Sequence, residues 1–265
     1  MRALETGESG NDDIPAAGDR KALVVLPTFQ ERDNIGFMID AILAASRHAE
    51  ILVVDDNSPD LTANEVRARQ LAEPRVHLIV RAGKLGLGSA YLLGFRFALE
   101  NGFDTVVTMD ADRSHDPQHL DAIDALHREG YDLVIGSRYA RGGTIHRWNA
   151  LRKLNSAAAN VFARRIVGKH IRDCTSGYRS YSSALLKRIG TLDLESHGYS
   201  MLVELLYEAV LAKARISEIP IQFHNRVAGD SKISWREVAE SVVTLGRLKL
   251  RQIRLARAKR LVETT

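Results

Sequence analysis

The sequence predicts an α/β fold with a mostly parallel sheet that is covered by helices on both faces. Apolar runs of strand length alternate with longer segments of helical periodicity. These runs are apolar at successive positions, which is typical of strands buried on both sides. With 265 residues, the chain is long enough for one large domain with appendages.

The elements follow one another in regular βα order. The predicted strands cover residues 21–29, 50–58, 75–80, 104–110 and 131–137. The helices between them cover residues 34–47, 61–71, 88–102 and 117–128. Gly102 suits a helix C-terminus, and Pro117 suits the first position of a helix. After Arg147 the pattern predicts a long helix, a polar turn over 172–181, a helix over 199–213 and a short strand over 217–223.

Charge divides the chain into three parts. Residues 1–20 hold five acids and two bases without an apolar core segment, which predicts a disordered leader and not a signal peptide. Residues 21–233 form the predicted domain, and residues 234–265 a basic helical tail. Within the tail, Arg247 to Arg260 contains seven basic residues and no acid. This segment suits anionic lipid, whereas it lacks the interleaved aromatic residues that stack on nucleic-acid bases.

Some chemistries are excluded or disfavoured by what the sequence contains. One cysteine, Cys174, allows no internal disulfide, which favours the cytosolic side of a membrane and a buried, unreactive thiol. The glycine-rich stretch 83–90 lacks the Gly-Lys-Ser/Thr order of the P-loop that binds nucleoside triphosphates. We expect its glycines to form a tight turn before a helix instead. His115 has no partner at zinc-ligand spacing nearby, which argues against a zinc site.

Acidic residues gather where the predicted strands end. Glu31 follows the first strand, Asp56 lies towards the end of the second, and Asp110 and Asp112 lie where the fourth ends. Carboxyl ends of parallel strands meet at one edge of the sheet, where ligands bind. Two carboxylates so close repel each other unless a cation or hydrogen bonds compensate them, and Mg²⁺ takes one or two carboxylates together with phosphate oxygens.

Basic residues come later in the chain. They are Arg138, Arg152, Arg226 and Lys232. Acids that can hold a metal, combined with bases that can hold phosphates, predict chemistry on a phosphate ester.

An ordered set of motifs resembles the dolichol-phosphate (polyprenol-phosphate) mannosyltransferases of glycosyltransferase family 2. The motifs are LPTFQERDNI, VVDDNSPDLT, GKLGLGSAY, MDADRSHDP, GSRY, DCTSGYRSY and EIPIQFHNRVAGDSK. The resemblance runs from about Lys21 to Lys232. It implies that residues 21–233 are a GT-A catalytic domain, which is a nucleotide-sugar-binding sheet with an Asp-x-Asp metal site.

The resemblance also implies roles for individual residues. The donor contacts are Pro27, Phe29, Glu31, Val54, Asp56, Asp110, Ala111 and Asp112, with Arg226 and Lys232 on a loop that closes over the diphosphate. The acceptor-phosphate contacts are Arg138, Arg152 and Ser156, and the catalytic residues are Asp110, Asp112 and Arg138. The metal ligands are Asp112 and Ser114, where Ser114 stands at a position that some members fill with Gln. Arg113 replaces a residue that is usually small or apolar.

The implied reaction is transfer of mannose from GDP-mannose to a polyprenyl phosphate, with inversion and a divalent metal, Mg²⁺ or Mn²⁺. We expect the chain to bind peripherally at the cytoplasmic face of a membrane through its basic tail, with or without a separate membrane protein partner. Two alternatives stay open at this point. One is a glucosyltransferase that uses UDP-glucose and a polyprenyl phosphate, and the other is a non-catalytic protein that binds a nucleotide sugar.

Overall fold

The computed structural model describes residues 20–146, 150–168, 170–190 and 200–224, and residues 243, 244, 246, 247, 249 and 250. The strands are β1 (Ala22–Thr28), β2 (Ala49–Asp55), β3 (Val76–Val80), β4 (Thr105–Thr108), β5 (Leu133–Ser137), β6 (Thr144–Ile145), β7 (Arg179–Ser182), β8 (Ile216–Pro220) and β9 (Gln222–Phe223). The helices are α1 (Arg32–Ala45), α2 (Thr62–Gln70), α3 (Leu87–Glu100), α4 (Leu120–Arg128), α5 (Ala150–Val167), α6 (Ser183–Ile189) and α7 (Ser200–Leu211). A 3₁₀ turn, Pro117–His119, precedes α4.

In the described part of the chain, seven strands form one sheet in the order β3-β2-β1-β4-β7-β5-β8, and β6 pairs with β9. The strands of the large sheet pair in parallel, except that β7 is antiparallel to both β4 and β5. The prediction of a mostly parallel sheet is therefore confirmed. Since β1, β2 and β4 are neighbours, their carboxyl ends lie side by side.

The predicted polar turn over 172–181 is wrong in its last residues, because they form the beginning of β7. This strand is polar, yet Arg179 and Ser180 are fully buried in the middle of the sheet. A run of four polar residues lacks the apolar pattern that predicts a strand. The residues are buried because β7 pairs with β4, about 70 positions earlier in the chain. Helix α6, which was not predicted, follows at once, and the Ser182 hydroxyl caps it by accepting the Leu185 N–H at 3.1 Å.

Helices cover both faces of the sheet, as the sequence predicts. One apolar cluster packs α3, α5, α6 and α7 against one face, and a second packs α1, α2 and α4 against the other. Helix α3 comes very close to β1 at Gly94, where a Cβ would lie 2.6 Å from a Val25 methyl carbon. Only glycine allows the helix to approach the strand so closely at that point.

The ends of the chain are described only in part. The predicted leader lies outside the described residues apart from Arg20, and so does most of the tail. The tail residues that are described are helical, and Arg247 forms a 3.0 Å ion pair with Glu204 of α7. Among the described helices, none has both the length and the apolar content needed to cross a bilayer.

Candidate functional site

The carboxyl end of β1 carries the first predicted donor contacts. Pro27 and Phe29 are half-buried, and the Lys84 ammonium lies 5.0 Å above the Phe29 ring. Glu31 is buried, where its carboxylate accepts the Asn34 amide N–H at 2.8 Å. A flat aromatic face and a held carboxylate can together receive a nucleotide base.

At the end of β2, two adjacent acids have different tasks. Asp55 accepts hydrogen bonds from the Thr28 hydroxyl at 2.8 Å and from the Ser58 N–H and hydroxyl at 2.9 and 2.6 Å. It therefore ties the ends of β1 and β2 together. Asp56 forms a buried ion pair with Arg81, whose Nε lies 2.5 Å from one carboxylate oxygen. Val54, the other residue predicted here, is buried in β2.

Arg81 is a site residue that the sequence reasoning missed. Its guanidinium contacts Asp56, the Ser89 hydroxyl at 2.6 Å and the Gly86 carbonyl at 3.0 Å. It thus fastens the glycine-rich turn to the end of β2. A signal was present, because Arg81 directly follows a predicted strand whose carboxyl end lies at the same edge of the sheet.

The Asp-x-Asp turn follows β4. Asp110 is half-buried, with the Tyr91 hydroxyl 3.5 Å from its carboxylate, whereas Ala111 and Asp112 are buried. One oxygen of Asp112 accepts the Ser114 N–H at 3.1 Å. The Ser114 hydroxyl is also buried, and it has no hydrogen-bond partner in the described part of the chain.

Between these two residues, Arg113 adopts a left-handed backbone with φ of 64°. Its guanidinium turns away from the site, lies 4.4 Å from the Phe37 ring and donates to the Asp33 carbonyl at 2.6 Å. As a result the side chains on either side of Arg113 are buried while Arg113 itself contacts α1.

The buried His115 ring stabilises the Asp-x-Asp turn through a hydrogen bond to its backbone. Its Nδ1 accepts the Asp110 N–H at 3.1 Å, so the ring is neutral at that nitrogen. Burial lowers the pKa of His115 although Asp110 and Asp112 act in the opposite direction. The ring stacks on Tyr178 at 5.1 Å and meets the edge of Phe223 at 5.5 Å.

Arg138, at the end of β5, forms a buried bidentate ion pair with Asp173. Its Nε and Nη2 donate to the two carboxylate oxygens at 2.8 and 2.9 Å, and Nη2 also donates to the Thr175 hydroxyl at 2.8 Å. Burial acts to raise the pKa of Asp173, but the charge and hydrogen bonds of Arg138 prevail and hold it below its ordinary value. Asp173 was missed as a separate site residue, although it belongs to the motif DCTSGYRSY.

Phe223 of β9 links the two ends of the site. Its ring centre lies 5.6 Å from the Arg138 guanidinium and 5.5 Å from the His115 ring. The structure therefore brings Arg138 and His115, which accepts the Asp110 N–H of the Asp-x-Asp turn, to one aromatic residue.

The remaining predicted residues are placed only in part. The Ser156 hydroxyl, on α5, lies 3.0 Å from the hydroxyl of Tyr139, the residue after Arg138. Through this contact, the inward face of α5 lies against the end of β5. Arg152 lies within α5, but its side chain is outside the described part, and Arg226 and Lys232 lie outside the described residues altogether.

A divalent cation fits the residues at the turn. Two carboxylates one residue apart and a buried, unpartnered hydroxyl supply the oxygen ligands that such cations prefer. No cluster of three or more His, Cys, Asp or Glu that could hold a metal occurs among the described residues. A metal here would therefore draw further ligands from a bound phosphate or from water.

Comparison with known proteins bears on the whole chain. The glycosyl transferase family 2 model matches residues 23–190. The polyprenol monophosphomannose synthase of Mycolicibacterium smegmatis is 38% identical over 259 residues, which cover 96% of each chain. The undecaprenyl-phosphate mannosyltransferase of Micrococcus luteus is 38% identical over 227 residues, covering 86% of this chain and 93% of that protein.

Solved structures share the fold. The glucosyl-3-phosphoglycerate synthase of Mycobacterium tuberculosis, in complex with Mn²⁺, UDP and glucosyl-3-phosphoglycerate, superposes with a TM-score of 0.63 at 21% identity. The match covers 86% of this chain and 80% of that chain. The fold is that of the GT-A glycosyltransferases. The chain belongs to glycosyl transferase family 2 and is a glycosyltransferase.

Proposed function

We propose that the protein transfers mannose from GDP-mannose to a polyprenyl phosphate with inversion at the anomeric carbon, giving polyprenyl phosphomannose and GDP. The observation that carries the proposal is that Arg138 and His115, which holds the Asp-x-Asp turn, both contact Phe223. The Asp-x-Asp turn offers carboxylates for a metal-bound diphosphate, and Arg138 offers a guanidinium for a phosphate. The relatives named for mannosyl transfer to a polyprenol acceptor, at 38% identity, support the mannosyl group and the polyprenyl phosphate acceptor.

The donor binds along the ends of β1, β2 and β4. Pro27, Phe29 and Glu31 contact the base, Val54 and Asp56 the base and ribose, and Asp110 and Ala111 the rest of the donor. Asp56 is already held by Arg81, so the ribose contact is oriented before the donor arrives. Arg226 and Lys232 close over the diphosphate.

Asp112 and Ser114 hold the divalent metal, Mg²⁺ or Mn²⁺. When bound, the cation neutralises charge that develops on the departing diphosphate. The unpartnered, buried Ser114 hydroxyl supports this assignment, because a buried hydroxyl without a partner is costly unless a ligand satisfies it. The Mn²⁺ in the complex of the Mycobacterium tuberculosis enzyme supports a divalent ion of this kind.

The acceptor phosphate binds at Arg138, Arg152 and Ser156. A phosphate monoester is already ionised near neutral pH, since its second pKa is about 6. The nucleophile therefore needs no general base, and the residues of the site need only align it and stabilise charge. Arg138 is fixed for this task by Asp173, and Ser156 by Tyr139.

The acceptor must be reached at a membrane. We infer that the protein works peripherally at the cytoplasmic face, with the basic tail attracted to anionic lipid at about 1 kcal/mol per basic residue near the surface. A separate membrane protein can assist, but no nucleic acid takes part.

The test is a transfer assay with two donors. Purified protein is mixed with a polyprenyl phosphate, Mg²⁺ or Mn²⁺, and radiolabelled GDP-mannose or UDP-glucose, and label is counted in the organic phase. Label from GDP-mannose that disappears with EDTA is the expected result. Label from UDP-glucose alone would overturn the sugar, and absence of label from both, with folded protein, would favour a binding role.

A further inference from the structure

The connection between α5 and β7 includes a short segment, 172–175, that carries Asp173. We refer to this segment as the 172–175 loop. Its first two backbone N–H groups, those of Arg172 and Asp173, donate to the two carboxylate oxygens of Glu218 at 3.0 and 2.9 Å. Glu218 lies on β8, which pairs with β5. One carboxylate therefore fixes the loop to the strand beside the one that Arg138 follows.

A second side chain holds the same loop from α5. The Asn160 amide donates an N–H to the Arg172 carbonyl, and its own carbonyl accepts the Cys174 N–H at 2.8 Å. Asn160 is only 5% exposed, so both polar ends of its amide are buried and both are bonded. Asn is a poor residue for a helix interior, and these two bonds account for its presence in α5.

The loop connects the two elements that carry the predicted acceptor-phosphate contacts. Asn160 lies four positions after Ser156, which places both residues on one face of α5. At the other end of the connection, Asp173 holds the Arg138 guanidinium at 2.8 and 2.9 Å. The position of Arg138 relative to Ser156 thus depends on how the loop is fixed. Glu218 is the residue that fixes the loop from outside these two elements.

We propose that Glu218 is a positioning residue for the acceptor phosphate. It acts through the 172–175 loop, which joins Arg138 to the helix that carries Ser156. This inference rests on the proposed function, because it takes Arg138 and Ser156 as contacts of the phosphate. Groups that align a nucleophile must stay in place, and a misplacement of about 1 Å can cost about a hundredfold in rate.

The experiment measures transfer kinetics with geranyl phosphate, a short polyprenyl phosphate that dissolves in water. Glu218→Ala removes both bonds to the loop, whereas Glu218→Gln keeps an oxygen for one of them. We expect the KM for geranyl phosphate to rise about tenfold or more in Glu218→Ala and by less in Glu218→Gln, while the KM for GDP-mannose stays within about twofold. Partial unfolding would instead lower kcat and leave both KM values unchanged, so this split reports positioning.

The matched control is Glu73→Ala. Glu73 is half-buried, and its carboxylate accepts the Arg75 backbone N–H at 3.2 Å in the turn before β3. It binds a backbone segment beside the sheet as Glu218 does, but at the amino end of a strand, whereas the site lies at the carboxyl ends. Glu73→Ala should leave both KM values unchanged.

Hydrogen exchange followed by mass spectrometry gives a readout that needs no substrate. The Arg138 N–H donates to Asp173 at 3.0 Å, so a loosened loop exposes this N–H as well as its own. Glu218→Ala should therefore speed exchange at Arg138 and in the 172–175 loop, and Glu73→Ala should not.

Several outcomes would overturn the inference. Glu218→Ala could keep the acceptor KM of the unmodified chain, the two KM values could rise together, the control could show the same split, or exchange at Arg138 could stay unchanged. If the unmodified chain transfers mannose to no acceptor, the proposed function fails, while exchange at Arg138 still decides whether Glu218 fixes that residue.

Discussion

Replacing Asp173 with Asn should destabilise the protein strongly. The carboxylate accepts Nε, Nη2 and the backbone N–H of Arg138 at 2.8, 2.9 and 3.0 Å, and it is fully buried. Asn keeps the shape but leaves the Arg138 charge without a counterion. Removing one partner of a buried ion pair costs about 3–5 kcal/mol. At about 2–4 °C per kcal/mol for a domain near this size, the midpoint of thermal unfolding should fall by about 6–20 °C.

The matched control is Asp124→Asn. Asp124 and Arg128 form an i,i+4 pair on the surface of α4 at 2.5 Å, so the same chemical change is made where water replaces the partner. Such pairs contribute about 0.3–0.5 kcal/mol. Urea unfolding at pH 7.5, followed by circular dichroism, gives both free energies. Equal costs for Asp173→Asn and Asp124→Asn would refute the reasoning that burial makes the Arg138 pair important.

The pH dependence of the free energy of unfolding is a second test of the role of Asp173. The pKa of Asp173 lies below its ordinary value of 3.8 in the folded protein. A depressed folded pKa adds stability above pH 3.8, and this stability is lost as the pH falls below 3.8 towards the folded value. The unmodified chain should therefore lose more stability than Asp173→Asn over that acidic range. Parallel stability curves for the two proteins would contradict this.

Three further predictions concern the metal site, packing and thiol reactivity. Asp112→Ala should abolish turnover and the binding of Mn²⁺ that electron paramagnetic resonance measures, with little change in thermal unfolding. The control Asp121→Ala changes an exposed residue and should retain turnover and Mn²⁺ binding. Full activity of Asp112→Ala would remove the metal assignment. Gly94→Ala should cost about 1–3 kcal/mol in urea unfolding because its Cβ collides with β1, whereas Gly83→Ala, with no atom within 4 Å, should stay within about 0.5 kcal/mol. Burial raises the pKa of Cys174 to about 12, so iodoacetamide at pH 8 should modify this thiol only when urea unfolds the chain. Modification of the folded chain would contradict this prediction, because it would show that the reagent reaches the thiol.

The first half of the sheet could be predicted because its signals are local. Each of β1 to β5 is an apolar run next to a helix of clear periodicity, and a parallel arrangement fixes which edge collects the strand ends. That argument alone placed Glu31, Asp56, Asp110 and Asp112 at one edge. Asp55 lies beside Asp56, and its hydrogen bonds to Thr28 and Ser58 show that it ties the two strand ends together.

In the second half, β7 and the contacts between elements could not be predicted, because they join residues far apart in the chain. Strand β7 enters the sheet between β4 and β5, and neither its polar sequence nor its position after a long helix indicates this. Arg138 and Asp173 are 35 residues apart, and no sequence period pairs them. No sequence period predicts the contacts of Phe223 with Arg138 and His115 either, because they depend on how β9 follows β8.

Arg113 shows how a departure from a family pattern can be resolved by geometry. A left-handed backbone at a residue other than glycine costs about 1–3 kcal/mol, so something must stabilise it. The stacking of Arg113 on Phe37 and its bond to the Asp33 carbonyl supply that stabilisation. The same backbone turn buries Asp112 and Ser114 on either side and directs the added positive charge to α1. A large basic residue is therefore tolerated inside an Asp-x-Asp turn because the turn itself directs that residue away from the site.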